Sequence, residues 1–147
     1  MDNAEPSTNG VSTWNLYRLS ALLNDAEYEK KAHQTVAAFE VEIAQHPGLF
    51  SGMMCSVVAA KLGFKGLMVV GEGEIAETAL KRASESVRPH WTILRVGGAE
   101  TKSEWVRSRN ELLQGVDGKR EMVQLCEGTS CRLLDQKSVE EAFAKAA

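Results

Sequence analysis

The chain is poor in the residues that carry metal or disulfide chemistry. It has three cysteines, three histidines and three prolines in 147 residues. A structural zinc site needs about four ligands, and His33, His46 and His90 show no matching cluster, so no metal is expected. There is no basic block and the formal net charge is −3, which disfavours nucleic acid as a partner. No apolar run approaches the length of a membrane-spanning helix, so no membrane partner is expected. The first residues, Met1 to Pro6, lack the basic start and apolar core of a signal peptide. A reducing, cytoplasmic setting is therefore the expectation, and three cysteines fit it.

What remains is ordinary globular material. Apolar residues make up 44% and charged residues 25% of a chain long enough for a real hydrophobic core. The three prolines act as punctuation. Pro6 pushes Glu5 toward an extended conformation, Pro47 disfavours helix at His46, and Pro89 closes a helical stretch.

The first organised stretch runs from Ala4 to Leu19. A polar loop leads into a helix expected over about Gly10 to Leu23, with Ser7, Thr8 and Asn9 able to accept bonds from its first free N–H groups. Trp14, Tyr17 and Ala21 form one apolar stripe, and Leu16, Leu19 and Leu23 another. So wide an apolar surface predicts a helix covered on more than one side, and Trp14, Tyr17 and Leu22 are expected to lack partners within this chain. Asn24 and Asp25 break the helix. A second is expected from Ala26 to Gln45, with a stripe of Tyr28, Ala32, Val36, Phe39 and Ile43. A third is expected from Leu49 to Leu62, ended by Gly63.

The character changes at Phe64. Gly66 to Gly71 is a short apolar run bounded by glycines, which reads as a buried parallel strand. A helix from Ile75 to Val87 and a strand from Trp91 to Val96 complete a βαβ unit. A helix is expected around Ser103 to Leu113, then a turn at Gly115 to Gly118. Glu121 to Cys126 and Cys131 to Leu134 read as a hairpin around Glu127-Gly128-Thr129-Ser130. The last helix is expected to start at Ser138, with Ser138 as N-cap and Glu141 completing a capping box.

Three stretches carry candidate chemistry. Gly71-Glu72-Gly73-Glu74-Ile75-Ala76 has the G-x-G-x-x-A form between a strand and a helix, the context of a dinucleotide fingerprint. Glu72 and Glu74 would repel a phosphate there, and no acidic residue closes the second strand at Val96. The plainer reading is that acidic residues suit the start of a helix, and no cofactor is expected. Cys126 and Cys131 are open to three readings: two small apolar residues of a strand pair, a reversible disulfide, or half of a metal site. Cys55 reads as buried and inert. Glu5, Ser7, Asn9, Ser12 and Asn15 are helix-capping and surface polar residues on one reading, and on another the donors and acceptors of a polyol-binding pocket.

Two segments carry a resemblance. Glu5-Pro6-Ser7-Thr8-Asn9-Gly10-Val11-Ser12-Thr13-Trp14-Asn15-Leu16-Tyr17-Arg18-Leu19 resembles the E-P-S-x-N-x-V-S-x-x-N-L-x-R-L segment of the spermatogenesis-associated protein 20 family. Val123 to Cys131 resembles that family's V-C-x-x-x-x-C segment, which precedes its final helix. Order and spacing of the two also fit, and the likeness spans essentially the whole chain. It corresponds to the last part of the family's architecture: a thioredoxin-like domain followed by an (α/α) toroid similar to six-hairpin glycosidases and sugar epimerases. Bacterial relatives are described as thioredoxin-domain proteins of unknown function.

The elements read above make a mixed α/β chain, and to them the resemblance adds an architecture. Residues 1–63 would be the closing helices of an incomplete (α/α) toroid, and 64–147 a small α/β unit with a mixed sheet. The function expected is that of a C-terminal structural and interaction region, non-catalytic alone, whose partners are other segments of a longer protein or a second copy. The rivals are a carbohydrate-binding or carbohydrate-active component, with a sugar-like ligand held by Glu5 to Asn15, and a thiol redox element at Cys126 and Cys131.

Overall fold

The computed structural model describes residues 5–86, 88–97, 104–114, 116–117, 120–128 and 130–144. Among them are seven α-helices and a four-stranded mixed sheet, so the chain is mixed α/β.

Helix α1 spans Thr8–Leu23 and α2 spans Ala26–Ala37. Ser7 caps α1, its hydroxyl accepting from the Gly10 N–H at 3.2 Å. Asn24 ends it in the left-handed region, φ 53°, which a short amide side chain tolerates. Asp25 caps α2 through the Glu27 N–H at 2.9 Å. The two-residue link makes a tight helical hairpin. The single helix expected to Gln45 is interrupted at Ala38 and Phe39, and α3 resumes over Glu40–Gln45. The break lets Phe39 and Ile43 pack with Phe50 and Met53 in a small apolar cluster of their own. A 3₁₀ turn, Pro47–Phe50, leads into α4, Ser51–Leu62.

Trp14, Tyr17 and Leu22 of α1 find cover within the chain, contrary to expectation, Tyr17 wholly and the other two in part. Tyr17 is fully buried, its ring stacked 6.0 Å from Phe64 and edge-on to His33 at 5.5 Å. Trp14 meets Phe64 edge-on at 5.3 Å, and Ala32 of α2 and Ala59 of α4 complete the cluster. Phe64, the first residue beyond the helical segment, thus plugs the helices and ties them to the sheet.

Strand β1 (Lys65–Val70) lies parallel to β2 (Trp91–Val96) and antiparallel to β3 (Met122–Glu127), which pairs with β4 (Ser130–Leu134). The order is β2-β1-β3-β4, so β1 is central and β4 is an edge. Helix α5 (Glu74–Glu85) links β1 to β2. Side chains alternate along β1. Leu67 and Val69 pack with Ala76 and Ala79 of α5 and with Val139 of α7 (Gln136–Ala144). Met68 and Val70 face the other way, toward Val96 and Leu113. Gly66 lies under α1: a Cβ there would stand 2.9 Å from the Ala21 carbonyl oxygen.

Three further boundaries differ from expectation. The helix expected over Ser103 to Leu113, of which Ser103 lies outside the described residues, is two pieces: α6 (Glu104–Arg107) and a 3₁₀ turn, Glu111–Leu113. Asn110 separates them because its side chain is engaged twice, accepting from the Leu112 N–H and donating to the Leu22 carbonyl, each at 2.9 Å. The hairpin is tighter than expected, since Glu127 pairs with Ser130 and Gly128 follows Glu127 at φ 57°, while Thr129 lies outside the described residues. The last helix starts earlier. Asp135 is its cap, with its carboxylate accepting from the Ser138 N–H and the Ser138 hydroxyl accepting from the Asp135 N–H, each at 2.8 Å. Ser138 therefore stands at N3, the last position of the box and not its first, and its bonds hold the Asp135 carboxyl below the usual carboxylate range. Val87 and the turn residues Gly115 and Gly118 lie outside the described residues.

Candidate functional site

The turn after β1 has the backbone of an anion site. Gly71 takes φ 77°, Gly73 is extended, and α5 starts at Glu74, where the first N–H groups of a helix have no partner within its own turns. The occupant is part of the chain itself. The Glu121 carboxylate, arriving at the start of β3, accepts from the Ala76 N–H at 2.9 Å. It lies so close over Gly73 that a Cβ there would meet Glu121 Oε1 at 2.4 Å. A carboxylate at a helix N-terminus satisfies one free donor and complements the dipole. The G-x-G-x-x-A turn therefore forms an internal cap, with the absence of a Cβ at Gly73 making room for Glu121. Beside it is a cavity of about 430 Å³ lined by Ile75, Asp117, Arg120, Glu121, Met122 and Leu133 among others. It lies at the carboxyl end of β1, where open α/β sheets commonly take ligands.

The second site is the β3–β4 hairpin. Cys126 and Cys131 are direct partners in the register, with Cα atoms 4.1 Å apart and their sulfurs bonded. Cys126 is 7% exposed and also pairs with Gly66 of β1. It borders a small cavity of about 20 Å³, room for a single water, walled by Ser20, Asn24, Asp25 and Glu29 of the α1–α2 hairpin. Cys131 is half-buried on the edge strand. Cys55, expected to be buried, is an exposed free thiol on α4. The face of α4 that packs inward carries Met53, Ser56 and Ala59, which leaves Cys55 on the outer side.

The five polar residues near the N-terminus are spread along the start of α1. Ser7 is half-buried and caps the helix. Glu5, Asn9, Ser12 and Asn15 are exposed, and the Asn9 backbone carbonyl accepts from the buried Thr13 hydroxyl at 2.6 Å. None of the five lines the cavities beside Glu121 or Cys126. Among the described residues no three His, Cys, Asp or Glu side chains come together as metal ligands, and no helix is long and apolar enough to cross a membrane.

Compared with known proteins, the chain matches no family model, no curated protein and no solved structure.

Two residues that organise these sites escape a reading of the sequence. Glu121 caps α5 through an N–H 45 residues earlier, at Ala76, and Asn110 fastens the end of α1 from 88 residues away. Glu121 belongs to no local motif, and the local cap that Asn110 makes at Leu112 gives no sign of its bond to Leu22. The only hint at Glu121 is a lone acidic residue at the start of a strand.

Proposed function

We infer that this chain is a structural and interaction region closing a larger protein of the thioredoxin-like, toroid-containing type. The reading rests on the resemblance of Glu5–Leu19 and Val123–Cys131 to that architecture. The observation that carries it is the character of α4. This helix has a single charged residue, Lys61, and is apolar on opposite faces. Met53 and Ala59 are buried, while on the other side Val58 and Leu62 are 49% and 62% exposed beside Cys55. A helix apolar all round is normally covered all round. In a helical toroid each hairpin packs between neighbours, and further hairpins would cover this face.

The exposed thiol supplies the test. Cys55 should react with a maleimide freely in this chain, and at least tenfold more slowly in a longer product of the same reading frame that carries further helical hairpins. Equal rates in the two, or an upstream reading frame encoding no hairpins, would overturn the assignment. The rival reading, a sugar pocket at Glu5–Asn15, is checked by titrating both products with a sugar panel. Binding lost on Asn15→Ala without a fall in Tm would favour it.

A further inference from the structure

We propose that the Cys126–Cys131 disulfide is a thiol–disulfide exchange site, attacked by a dithiol at Cys131 with Cys126 as the leaving sulfur. The inference does not depend on the toroid reading. It rests on where the bond lies in the sheet.

The bond crosses from β3 to the edge strand β4. Exchange requires the attacking sulfur to approach in line with the bond being broken. Beyond Cys131 that line leaves the sheet at its open edge, where the neighbouring Leu133 is 68% exposed. Beyond Cys126 it runs toward Gly66 of β1, which lies directly under the Ala21 carbonyl of α1. Cys131 is thus approached from the free side of the edge strand, and Cys126, 7% exposed, is reached only from beneath α1.

The surroundings also suit a bond that opens without unfolding the chain. The cysteines are two residues from a tight turn, in a ladder that pairs Val123 through Glu127 with Leu134 through Ser130. The ladder holds the strands together when the sulfurs part, and it keeps the thiols opposite one another for reoxidation. The loop that the bond closes is short, so it constrains the unfolded chain little.

The chemistry balances as follows. A thiolate of the dithiol bonds to Cys131 Sγ, the Sγ–Sγ bond breaks, and its electron pair goes to Cys126 Sγ, which takes up a proton. The second thiol of the dithiol attacks the mixed disulfide, releasing Cys131, which is protonated in turn. The dithiol loses two hydrogens and becomes a disulfide, and the cysteine pair gains two.

The test uses the full chain with the exposed Cys55 replaced by serine. Treated with glutathione disulfide under native conditions, a Cys126→Ser chain should form the mixed disulfide at Cys131 at least tenfold faster than a Cys131→Ser chain forms it at Cys126. The intact pair should be reduced by dithiothreitol at a rate unaffected by low denaturant, with the near-UV circular dichroism of the fold retained. The second measurement leaves the pair unmutated, so it stands even if a serine variant folds poorly. Adduct formation at Cys126 as fast as at Cys131, or reduction only at the rate of global unfolding, would overturn the proposal.

Discussion

The contact between α1 and β1 can be probed with one carbon atom. A Cβ at Gly66 would stand 2.9 Å from the Ala21 carbonyl oxygen, whereas ordinary van der Waals contact begins at 3.4 Å. The obstacle is backbone within a helix, so it cannot swing aside as a side-chain tip would. Gly66→Ala must lift α1 off the strand by about 0.5 Å, and overpacking of this kind costs roughly 1–3 kcal/mol. Gly66 does not have positive φ, so alanine is unstrained there and the stiffer unfolded chain returns roughly 0.4–1 kcal/mol. The net expectation is a loss of about 1–2 kcal/mol, or a Tm lower by roughly 3–6 °C for a chain of this size. Gly48→Ala is the control, since nothing lies within 4 Å of its added carbon, and it should be neutral or slightly stabilising.

Asn110→Ala removes the clasp on the Leu22 carbonyl and should cost roughly 1–3 kcal/mol, because the bonded groups are left unpaired near a side chain only 2% exposed. The two substitutions load the same end of α1, so their combined cost should fall short of the sum by about 0.5 kcal/mol or more. Urea and thermal unfolding of the four chains decide the matter. If Gly66→Ala is as stable as Gly48→Ala, or the double variant is strictly additive, α1 does not press on β1 and the helical segment and the sheet are not one packed unit.

Two other substitutions follow from the same packing. Tyr17→Ala empties the cluster around Phe64 and should cost roughly 3–5 kcal/mol in urea unfolding, whereas Tyr17→Phe keeps the ring stack and loses only a long 3.4 Å contact to His33. Burial, with the nearby Glu29 charge, pushes the Tyr17 phenol up to about 12 from its ordinary 10.0. The folded chain therefore favours the neutral phenol. That contribution to stability is complete below the unfolded value and lost as pH rises through the folded one. Tyrosinate absorbance should show one tyrosine ionising only with alkaline unfolding, and Tyr17→Phe should remove that step. At the turn before α5, Glu121→Ala should cost about 1 kcal/mol as a lost helix cap. Gly73→Ala should displace the same carboxylate, so adding it to Glu121→Ala should cost little more, and full additivity would refute the internal cap.

Much of the fold is legible along the chain because its causes are local. Asp25 as a cap, Gly63 as a stop and the buried run of Leu67 to Val70 follow from side-chain reach, φ preference and apolar continuity. The pairing of Cys126 with Cys131 follows from two strands and a short turn, so the candidate disulfide could be named in advance as one of three readings. The break at Phe39 could not. Its stripe continues to Ile43 at helical spacing, and the interruption comes from a cluster with Phe50 and Met53 that exists only once the chain has turned back. The cover over Tyr17 was likewise invisible, because Phe64 reaches it from beyond the helices. The start of the last helix was misplaced because Ser138 has the right chemistry for a cap, and only the chain path shows that Asp135 takes that place.

Most of the element types, the parallel β1–β2 unit and the mixed α/β class are encoded locally, since they depend on periodicity, capping and turn chemistry within a few residues. Tertiary structure alone decided what fills the glycine-rich turn, which face of α4 stays bare and which sulfur of the hairpin faces the open edge. Those outcomes depend on surfaces contributed by residues far apart in the chain, and no local pattern encodes which surfaces will meet.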